Sequence, residues 1–185
     1  MTFSVKTVTR TYTPSEAAKI TGVSPALQRD WRRRELLPET KKEGWANFSL
    51  DNIIEMSVMK AFSDGGISVL AAREMASTAV LPTLRNIVHK DEAVSFEGDV
   101  FPAQFKEHSI TGFIRGGDGD YLFAPLPVVS GTPEVYRFAS PADIEKTLET
   151  GSSFYGIIID TINLADKIIS TSELPLIRFE VEEKE

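Results

Sequence analysis

The sequence predicts an α+β protein, in which four helices and a two-stranded hairpin precede a small mixed α/β part. Helix start signals and apolar positions at helical spacing recur between residues 13 and 82, with a Gly-containing hairpin pattern after the second helix. Apolar and polar residues alternate, as in strands, from residue 109 onward. We expect two domains, 1–90 and 91–185, with the boundary near Lys90 to Glu97.

Length and composition exclude several classes of protein. With 185 residues, 42% of them apolar, the chain can bury a core and form one large domain or two small ones. The absence of cysteine excludes disulfides and thiolate metal sites. No run approaches the roughly 18 apolar residues of a membrane span, and the start MTFSVKTVTR lacks the apolar stretch of a secretory signal. We therefore expect a cytoplasmic protein with no membrane partner.

The net charge of −7 conceals an asymmetry along the chain. Up to Lys60 there are ten Lys and Arg against seven Asp and Glu, whereas the remainder has ten against twenty. Four of the basic residues fall between Arg29 and Arg34. An acidic body with one basic segment suits a polyanionic partner that is reached by one face, although a solvated helix face is the simpler alternative.

The stretch TPSEAAKI predicts the start of the first helix. Thr13 can cap the helix, Pro14 suits its first position, and Glu16 completes the reciprocal capping arrangement. Gly22 can adopt the left-handed conformation that often ends a helix. Only about two turns fit between these signals.

A second cap followed by proline opens the next helix. Ser24 and Pro25 repeat the start signal, and Pro38 prevents the helix from continuing much beyond Leu36. Two short helices joined by a Gly-containing turn predict a helix-turn-helix.

A helical wheel divides the second helix into two faces. Leu27 and Trp31 lie on one side and should pack inward, so Trp31 is expected in the core. The opposite, exposed face gathers Pro25, Gln28, Arg29 and Arg32, with Arg33 at its border. Arginine can hold guanine or phosphate with two donors and glutamine can do the same for adenine, so this face suits a major groove.

The segment ETKKEGWANFS predicts a hairpin over residues 39–48. Lys41, Lys42 and Gly44 form its tip, and Trp45 and Phe48 follow. Beyond it, capping residues predict a third helix from Ser49 to about Phe62 and a fourth from Ser68 until Pro82.

Residues 12 to 76 resemble the DNA-binding domain of MerR-family transcriptional regulators. The similarity rests on many weak matches at the right spacing: Tyr12, Gly22-Val23-Ser24-Pro25, Arg29, Trp31, Leu36-Leu37-Pro38, Gly44-Trp45, Phe48-Ser49, Asp51 and Gly66-Ile67-Ser68. The resemblance implies a winged helix-turn-helix, with recognition helix 25–36 in the major groove and wing 39–48 on the flanking backbone.

By position, Arg29 matches the arginine of the family's recognition helix, and Arg33 matches a frequent basic position. The sequence departs from the family where Glu35 replaces a glycine that closes the helix, Gln28 replaces a leucine and Asp30 replaces an aromatic residue.

The C-terminal part predicts alternating strands and helices. Strands are expected at SITGFIR, YLFAPLPVV and EVYRF, a central buried strand at FYGIII and a last strand at LIRFEV, before a solvated tail EEKE. Pro125 and Pro127 move the second of these strands toward a sheet edge. Helices are expected from Pro141 to about Glu149 and from Thr161 to Ser170.

Patterns for catalysis, metals and cofactors are weak. Asp118 and Asp120 in GGDGD favour a tight turn over a calcium loop, because the later ligands are missing. The two histidines, His89 and His108, have no spacing typical of a metal site or a catalytic nucleophile. We expect no enzyme activity, no metal and no cofactor.

The sequence therefore predicts a sequence-specific regulator that binds double-stranded DNA as a homodimer, of bacterial or phage type. The predicted DNA-binding residues are Pro25, Gln28, Arg29, Arg32, Arg33, Lys41, Lys42 and Trp45. An excisionase-like architectural factor and a module that binds an acidic protein remain alternatives.

The effector of such a regulator stays unknown, whereas the dimer contact can be predicted. Because Pro82 should interrupt the fourth helix, we expect the dimer contact in residues 91–185. A sheet edge is one candidate, and the other is the apolar face of Ile162, Leu164, Ala165, Ile168 and Ile169.

Overall fold

The computed structural model describes residues 2–37, 47–97, 119–126, 135–150 and 155–184. The predicted α+β class is confirmed. Three predictions lie outside the described residues: most of the hairpin 39–48, the strand SITGFIR, and the first three residues of the GGDGD turn.

Four helices of the N-terminal part begin where the capping residues predict. They are α1 (Pro14–Thr21), α2 (Pro25–Arg33), α3 (Leu50–Asp64) and α4 (Val69–Ala76). Thr13, Ser24, Ser49 and Ser68 each accept a hydrogen bond from a backbone N–H in the first turn of the helix that follows. These starts depend on residues within one turn of each other, which is why the sequence alone identifies them.

The prediction that Pro82 ends the fourth helix is wrong. A 3-10 turn over Ser77–Ala79 interrupts the helical run, and α5 then spans Val80–Val88 with Pro82 at its third position. Backbone N–H groups in the first turn of a helix have no intrahelical acceptor, so a proline there costs no hydrogen bond.

The two ends of the chain pair with each other. Strand β1 (Thr2–Thr9) lies antiparallel to β8 (Ile177–Lys184), and β4 (Val94–Glu97) lies parallel to β8 on its other side. The sequence pattern did not predict β1. The register pairs Thr2 with Lys184, so the backbone of Glu182 to Lys184, which the sequence pattern placed in a tail, extends β8. That this tail is solvated stays a prediction.

A second described sheet has the strand order β6-β5-β7 and is antiparallel throughout. Its strands are β5 (Tyr121–Leu126), β6 (Tyr136–Phe138) and β7 (Tyr155–Asp160). β5 is therefore central, against the prediction from its prolines. Pro125 pairs with Gly156 of β7 and lies beyond Phe123, which is the last residue of β5 to pair with β6 in the described ranges.

Strand β7 is not the central buried strand that its apolar sequence predicts. It is the last of the three described strands, and the side chains of Tyr155 and Ile158 are 57% and 49% exposed. Only the face that carries Ile157 and Ile159 turns toward the core, where Ile159 is buried and Ile157 is partly buried.

The C-terminal helices are α6 (Pro141–Thr150) and α7 (Thr161–Thr171), close to their predicted bounds. α7 packs against α5 and α1, and Ala165 and Ile168 are fully buried. The prediction that the apolar face of α7 pairs two copies of the chain is therefore wrong, because the same chain already covers that face.

One cluster of buried apolar side chains includes residues from α1 to α5, α7, β5 and β8. A short antiparallel ribbon of β2 (Thr11–Tyr12) and β3 (Phe48–Ser49) contributes Tyr12 and Phe48 to this core. The boundary near residue 90 stays a prediction. Among the described residues, no helix is both long enough and apolar enough to cross a membrane.

Candidate nucleic-acid interface

The start of α1 is fixed by reciprocal hydrogen bonds. The Thr13 hydroxyl accepts a bond from the Glu16 backbone N–H at 3.3 Å, and the Glu16 carboxylate accepts one from the Thr13 N–H at 2.8 Å. Gly22 ends the helix at φ 74°, and its N–H donates to the Ala18 carbonyl at 3.0 Å. Helix α1 is thus capped at both ends, and the turn to α2 begins at Gly22.

Trp31 and Gln28 form the buried face of α2, and each is only 1% exposed. The core position of Trp31 confirms its prediction, but the exposed position predicted for Gln28 is wrong. The Gln28 amide donates from Nε2 to the carbonyls of Pro14 and Val23, both at 2.9 Å. Buried glutamine is tolerated here because α1 and the turn supply these acceptors. The leucine that MerR proteins have at this position was the signal for burial.

Arg32 is half-buried, against the prediction of a solvent-facing side chain. Its guanidinium lies 4.6 Å from the centroid of the Phe48 ring, a cation–π geometry. Nε and Nη2 are buried and have no hydrogen-bond partner among the residues that the structure describes, and burial lowers the pKa of the guanidinium. Arg32 therefore ties α2 to the β2–β3 ribbon and presents less of its charge to solvent than predicted.

The exposed face of α2 carries Pro25, Arg29 and Arg33, as predicted. No hydrogen bond or ion pair engages Arg29 within the described residues. Arg33 donates to the Asp30 carboxylate at 2.9 Å, and Arg34 lies 3.8 Å from the other Asp30 oxygen. Arg33 is still 77% exposed, so this pair can open at small cost.

Helix α2 ends at Arg33, three residues before the predicted end at Leu36. Glu35 adopts φ 58°, its N–H donates to the Arg32 carbonyl at 2.9 Å, and the Leu36 N–H donates to the Trp31 carbonyl at 2.8 Å. This is the Schellman arrangement, in which glycine is preferred at the left-handed position. The glutamate that replaces the family's glycine therefore keeps the glycine conformation.

Lys41, Lys42 and Trp45, the predicted wing residues, lie outside the described residues. At the end of the predicted hairpin, Phe48 is described; it pairs with Tyr12, and both side chains are 1% exposed. The residues that precede α1 and α3 are therefore held side by side.

Arg10 connects the helix-turn-helix to the C-terminal part, and the sequence pattern did not predict it. Its guanidinium donates to the Glu16 carboxylate at 2.7 Å and to the backbone carbonyl and carboxylate of Glu173 at 2.7 and 3.0 Å. The Glu16 capping group is thus bonded to the segment that follows α7. No local pattern predicts this contact, because Arg10 and Glu173 are 163 residues apart.

On another side of the domain, a pocket of about 390 Å³ opens between α3 and α4. Burial, together with the charge of Asp51, raises the pKa of Glu55 in its wall. In the part of the chain that the structure describes, no group of three or more His, Asp and Glu side chains is arranged to hold a metal ion.

The comparison with family models identifies the same segment. Residues 12–79 match the model described as the MerR HTH family regulatory protein, a range that begins at Tyr12 in β2 and ends in the 3-10 turn after α4. No curated protein matches the chain. The N-terminal part of this chain is therefore similar to the helix-turn-helix domain of MerR-family regulatory proteins.

Proposed function

We propose that the protein is a sequence-specific transcriptional regulator of double-stranded DNA, of bacterial or phage type. Helix α2 enters the major groove, and wing 39–48 contacts the flanking backbone. The observation that carries the proposal is that Arg29 is exposed and unpaired among the described residues, on a helix whose opposite face is locked into the core by Trp31 and Gln28.

Arg29 is the proposed base reader. A guanidinium can donate two parallel hydrogen bonds to guanine O6 and N7, and this pairing requires a side chain that is free and a backbone that is fixed. Arg33 is a phosphate contact, because a phosphate oxygen can replace Asp30 as its acceptor. Pro25 has no N–H and lies exposed at the first position of α2, where the helix can approach a base edge closely.

Gln28 and Arg32 have supporting roles in this proposal. Gln28 sets the position of α2 against α1, and Arg32 holds α2 against the β2–β3 ribbon. A shift of α2 by about 1 Å would move Arg29 away from the guanine O6 and N7 acceptors. Hydrogen bonds weaken steeply with distance and angle, so the base contact would be lost.

Residues 1–90 would bind DNA, and residues 91–185 would dimerise or regulate. The C-terminal part has more acidic than basic residues, so its negative charge repels DNA phosphates. The basic face of α2 is therefore the surface that would contact DNA. A dimer would present two copies of α2 about 34 Å apart along one side of the duplex. The proposal assigns no catalytic residue and no cofactor, and places the protein with the DNA in the cytoplasm.

Selection of bound sequences from a random double-stranded library tests this function. The full chain should enrich one motif as an inverted repeat. Arg29→Ala should lose the enrichment of at least one base pair in each half-site, whereas Lys167→Ala, which removes an exposed charge on α7, should enrich the same motif. If the full chain enriches no motif and binds no DNA at low salt, the proposal fails and a protein-binding module becomes the better account.

The wing is tested by salt dependence. Lysines that contact phosphate add affinity without reading sequence. Lys41→Ala combined with Lys42→Ala should therefore weaken binding to DNA of any sequence to a similar degree. The slope of log affinity against log salt should fall by about 0.9 for each phosphate that the variant no longer neutralises. A changed sequence preference would instead mean that the wing reads bases.

A further inference from the structure

Arg10 contacts three separate segments of the chain at once. Its guanidinium donates to the Glu16 carboxylate on α1 and to the backbone carbonyl of Glu173, both at 2.7 Å. It also lies 5.5 Å from the centroid of the Tyr12 ring in β2. The Arg10 backbone N–H donates to the Leu176 carbonyl at 2.8 Å, and the side chain is only 20% exposed. Arg10 is therefore held by backbone and side chain between the helix-turn-helix and the segment that follows α7.

A first series of contacts connects Arg10 to α2 through the start of α1. The Glu16 carboxylate that accepts from Arg10 also accepts from the Thr13 N–H and hydroxyl, both at 2.8 Å. Pro14, which follows Thr13 and begins α1, accepts a hydrogen bond on its carbonyl from the Gln28 amide at 2.9 Å. The Gln28 side chain is 1% exposed and close-packed, so a displacement of Pro14 would move α2 as well.

A second series of contacts reaches α2 through the β2–β3 ribbon. Tyr12, which lies under the guanidinium of Arg10, is the direct partner of Phe48. Arg32 of α2 lies over Phe48 in turn, with 4.6 Å between its guanidinium and the ring centroid. Tyr12 and Phe48 are each 1% exposed, so both rings are fixed in the core. Arg10 and Arg32 thus contact the two paired residues of one ribbon.

We propose that Arg10 is a positioning residue for DNA binding, which fixes α1 and the β2–β3 ribbon against residues 173–176 and so sets the orientation of α2. Coupling between distant sites is carried by such series of packed side chains and hydrogen bonds. The inference rests on the proposed function, because the orientation of α2 affects affinity only if α2 contacts DNA. A displacement of residues 173–176 would change the affinity for DNA without any contact between those residues and DNA.

The link from Arg10 to residues 173–176 depends mainly on backbone acceptors. The Glu173 carboxylate accepts from Arg10 at 3.0 Å but is 87% exposed, and exposed ion pairs are weak. The carbonyls of Glu173 and Leu176 belong to the backbone, and the Leu176 N–H donates to the carbonyl of Ala93, the residue before β4, at 2.9 Å. Arg10→Gln should therefore weaken the link more than Glu173→Gln, which keeps the carbonyl bond.

The side-chain amide of Gln28 reports on this positioning in the absence of DNA. Its NMR signals, identified by their loss in Gln28→Ala, should exchange slowly with solvent, because the amide donates to two buried-side carbonyls. Arg10→Gln should speed this exchange by about tenfold or more, and Glu173→Gln should speed it less. The matched control is Lys90→Gln, which also removes a cation from an ion pair, at 2.7 Å with Asp166, and should leave the exchange unchanged. Exchange at the wild-type rate in Arg10→Gln would overturn the proposal.

DNA affinity tests whether the positioning serves binding. On the selected motif, Arg10→Gln should bind about fivefold more weakly or worse with the same base preference, whereas Lys90→Gln should bind like the wild type. Gln28→Ala interrupts the series of contacts through α1, so combining it with Arg10→Gln should cost less than the product of the two separate losses. Fully independent losses, or an equal loss for Arg10→Gln on unrelated DNA, would overturn the proposal. The second result would mean that Arg10 contacts phosphate.

The two measurements separate this inference from the proposed function. Faster exchange at Gln28 in a protein that binds no DNA would refute the proposed function and retain Arg10 as the residue that positions α2. A wild type that binds its motif, with Arg10→Gln unchanged in both measurements, would refute the positioning role alone. If Arg10→Gln does not fold, Glu173→Gln decides, because it should show both changes at a smaller size and its full equality with the wild type would overturn the proposal.

Discussion

Two neighbouring residues of α2 show that the burial of a polar side chain depends on hydrogen-bond acceptors from other segments. Gln28 and Arg29 are both polar and adjacent in sequence, yet one is 1% exposed and the other faces solvent. The carbonyls of Pro14 and Val23 accept both bonds that the Gln28 amide donates. Burial of Gln28 thus follows from α1 and its turn rather than from α2 alone.

The first prediction concerns Gln28. Gln28→Ala should lower the free energy of unfolding by about 1–3 kcal/mol, because it removes two buried hydrogen bonds and leaves a gap beside Trp31. The variant should bind the selected motif more weakly, because α2 is held less firmly against α1, but it should not prefer a different base. Chemical denaturation and sequence selection on the same variant check both statements. A normal unfolding midpoint with an altered base preference would mean that Gln28 reads DNA after all.

The residues that sequence reasoning misplaced share one physical cause. Only Leu27 and Trp31 marked the apolar side of α2, so the wheel was oriented by two residues, and Gln28 and Arg32 were assigned to the exposed side. In the structure, Gln28 is buried by hydrogen bonds to α1 and Arg32 lies over Phe48, which comes from a distant ribbon. Contacts between segments decide such positions, and helical periodicity does not contain them.

At the scale of elements, helix starts were predictable and helix ends were less so. The caps at Thr13, Ser24, Ser49 and Ser68 depend on neighbours in sequence and were all found. The end of α2 was missed because Pro38 was the visible stop, whereas the chain leaves the helix earlier through the positive φ of Glu35. Glycine in a sequence often signals a positive φ, whereas glutamate does not, so the pattern did not indicate this helix end.

The second prediction concerns this helix end. Glu35→Gly should leave the free energy of unfolding unchanged or raise it by up to about 1 kcal/mol, because glycine adopts the left-handed conformation without a Cβ clash. Glu35→Val should lower it by about 1–3 kcal/mol, since β-branched residues are strained there. Urea denaturation of the two variants measures both values. Equal stability of Glu35→Val and the wild type would contradict the φ assigned to this residue.

The third prediction is a pH dependence at the start of α1. Hydrogen bonds from the Thr13 backbone and hydroxyl, with a further contribution from Arg10, lower the pKa of Glu16 from its ordinary 4.5. A carboxylate with a lowered folded pKa stabilises the protein above its unfolded pKa, and this contribution is lost as the pH falls through the folded pKa. The stability difference between wild type and Glu16→Gln should therefore be constant above pH 5 or so and shrink below about pH 4.5.

Denaturation measured from pH 3 to 7 tests this window. Arg10→Gln is the matched control and should keep most of the pH dependence, because Thr13 supplies the largest part of the shift. A difference between wild type and Glu16→Gln that does not vary with pH would show that the capping carboxylate is not stabilised in its charged form.

At the scale of the whole molecule, the α+β fold class and the helix-turn-helix could be predicted from the sequence. The arrangement of the strands in the sheets could not. The HTH region could be recognised because its signals are local and correctly spaced. The pairing of β1 with β8 joins residues 2–9 to residues 177–184, and alternation within either strand does not identify the partner. The same long-range contacts bring Arg10 to Glu173, so the C-terminal part is connected through Arg10 to Glu16 on the first helix of the helix-turn-helix.

The central claim is that Arg29 on α2 reads a base in the major groove. A double-mutant cycle on the selected DNA site tests it most directly, with wild type and Arg29→Ala measured against sites in which single guanines are replaced by 7-deazaguanine, which lacks the N7 acceptor. At one guanine in each half-site, the two changes should cost less together than the sum of their separate costs, by about 1–3 kcal/mol. Additive costs at every guanine, with the same affinity loss on unrelated DNA, would place Arg29 on phosphate and contradict the account.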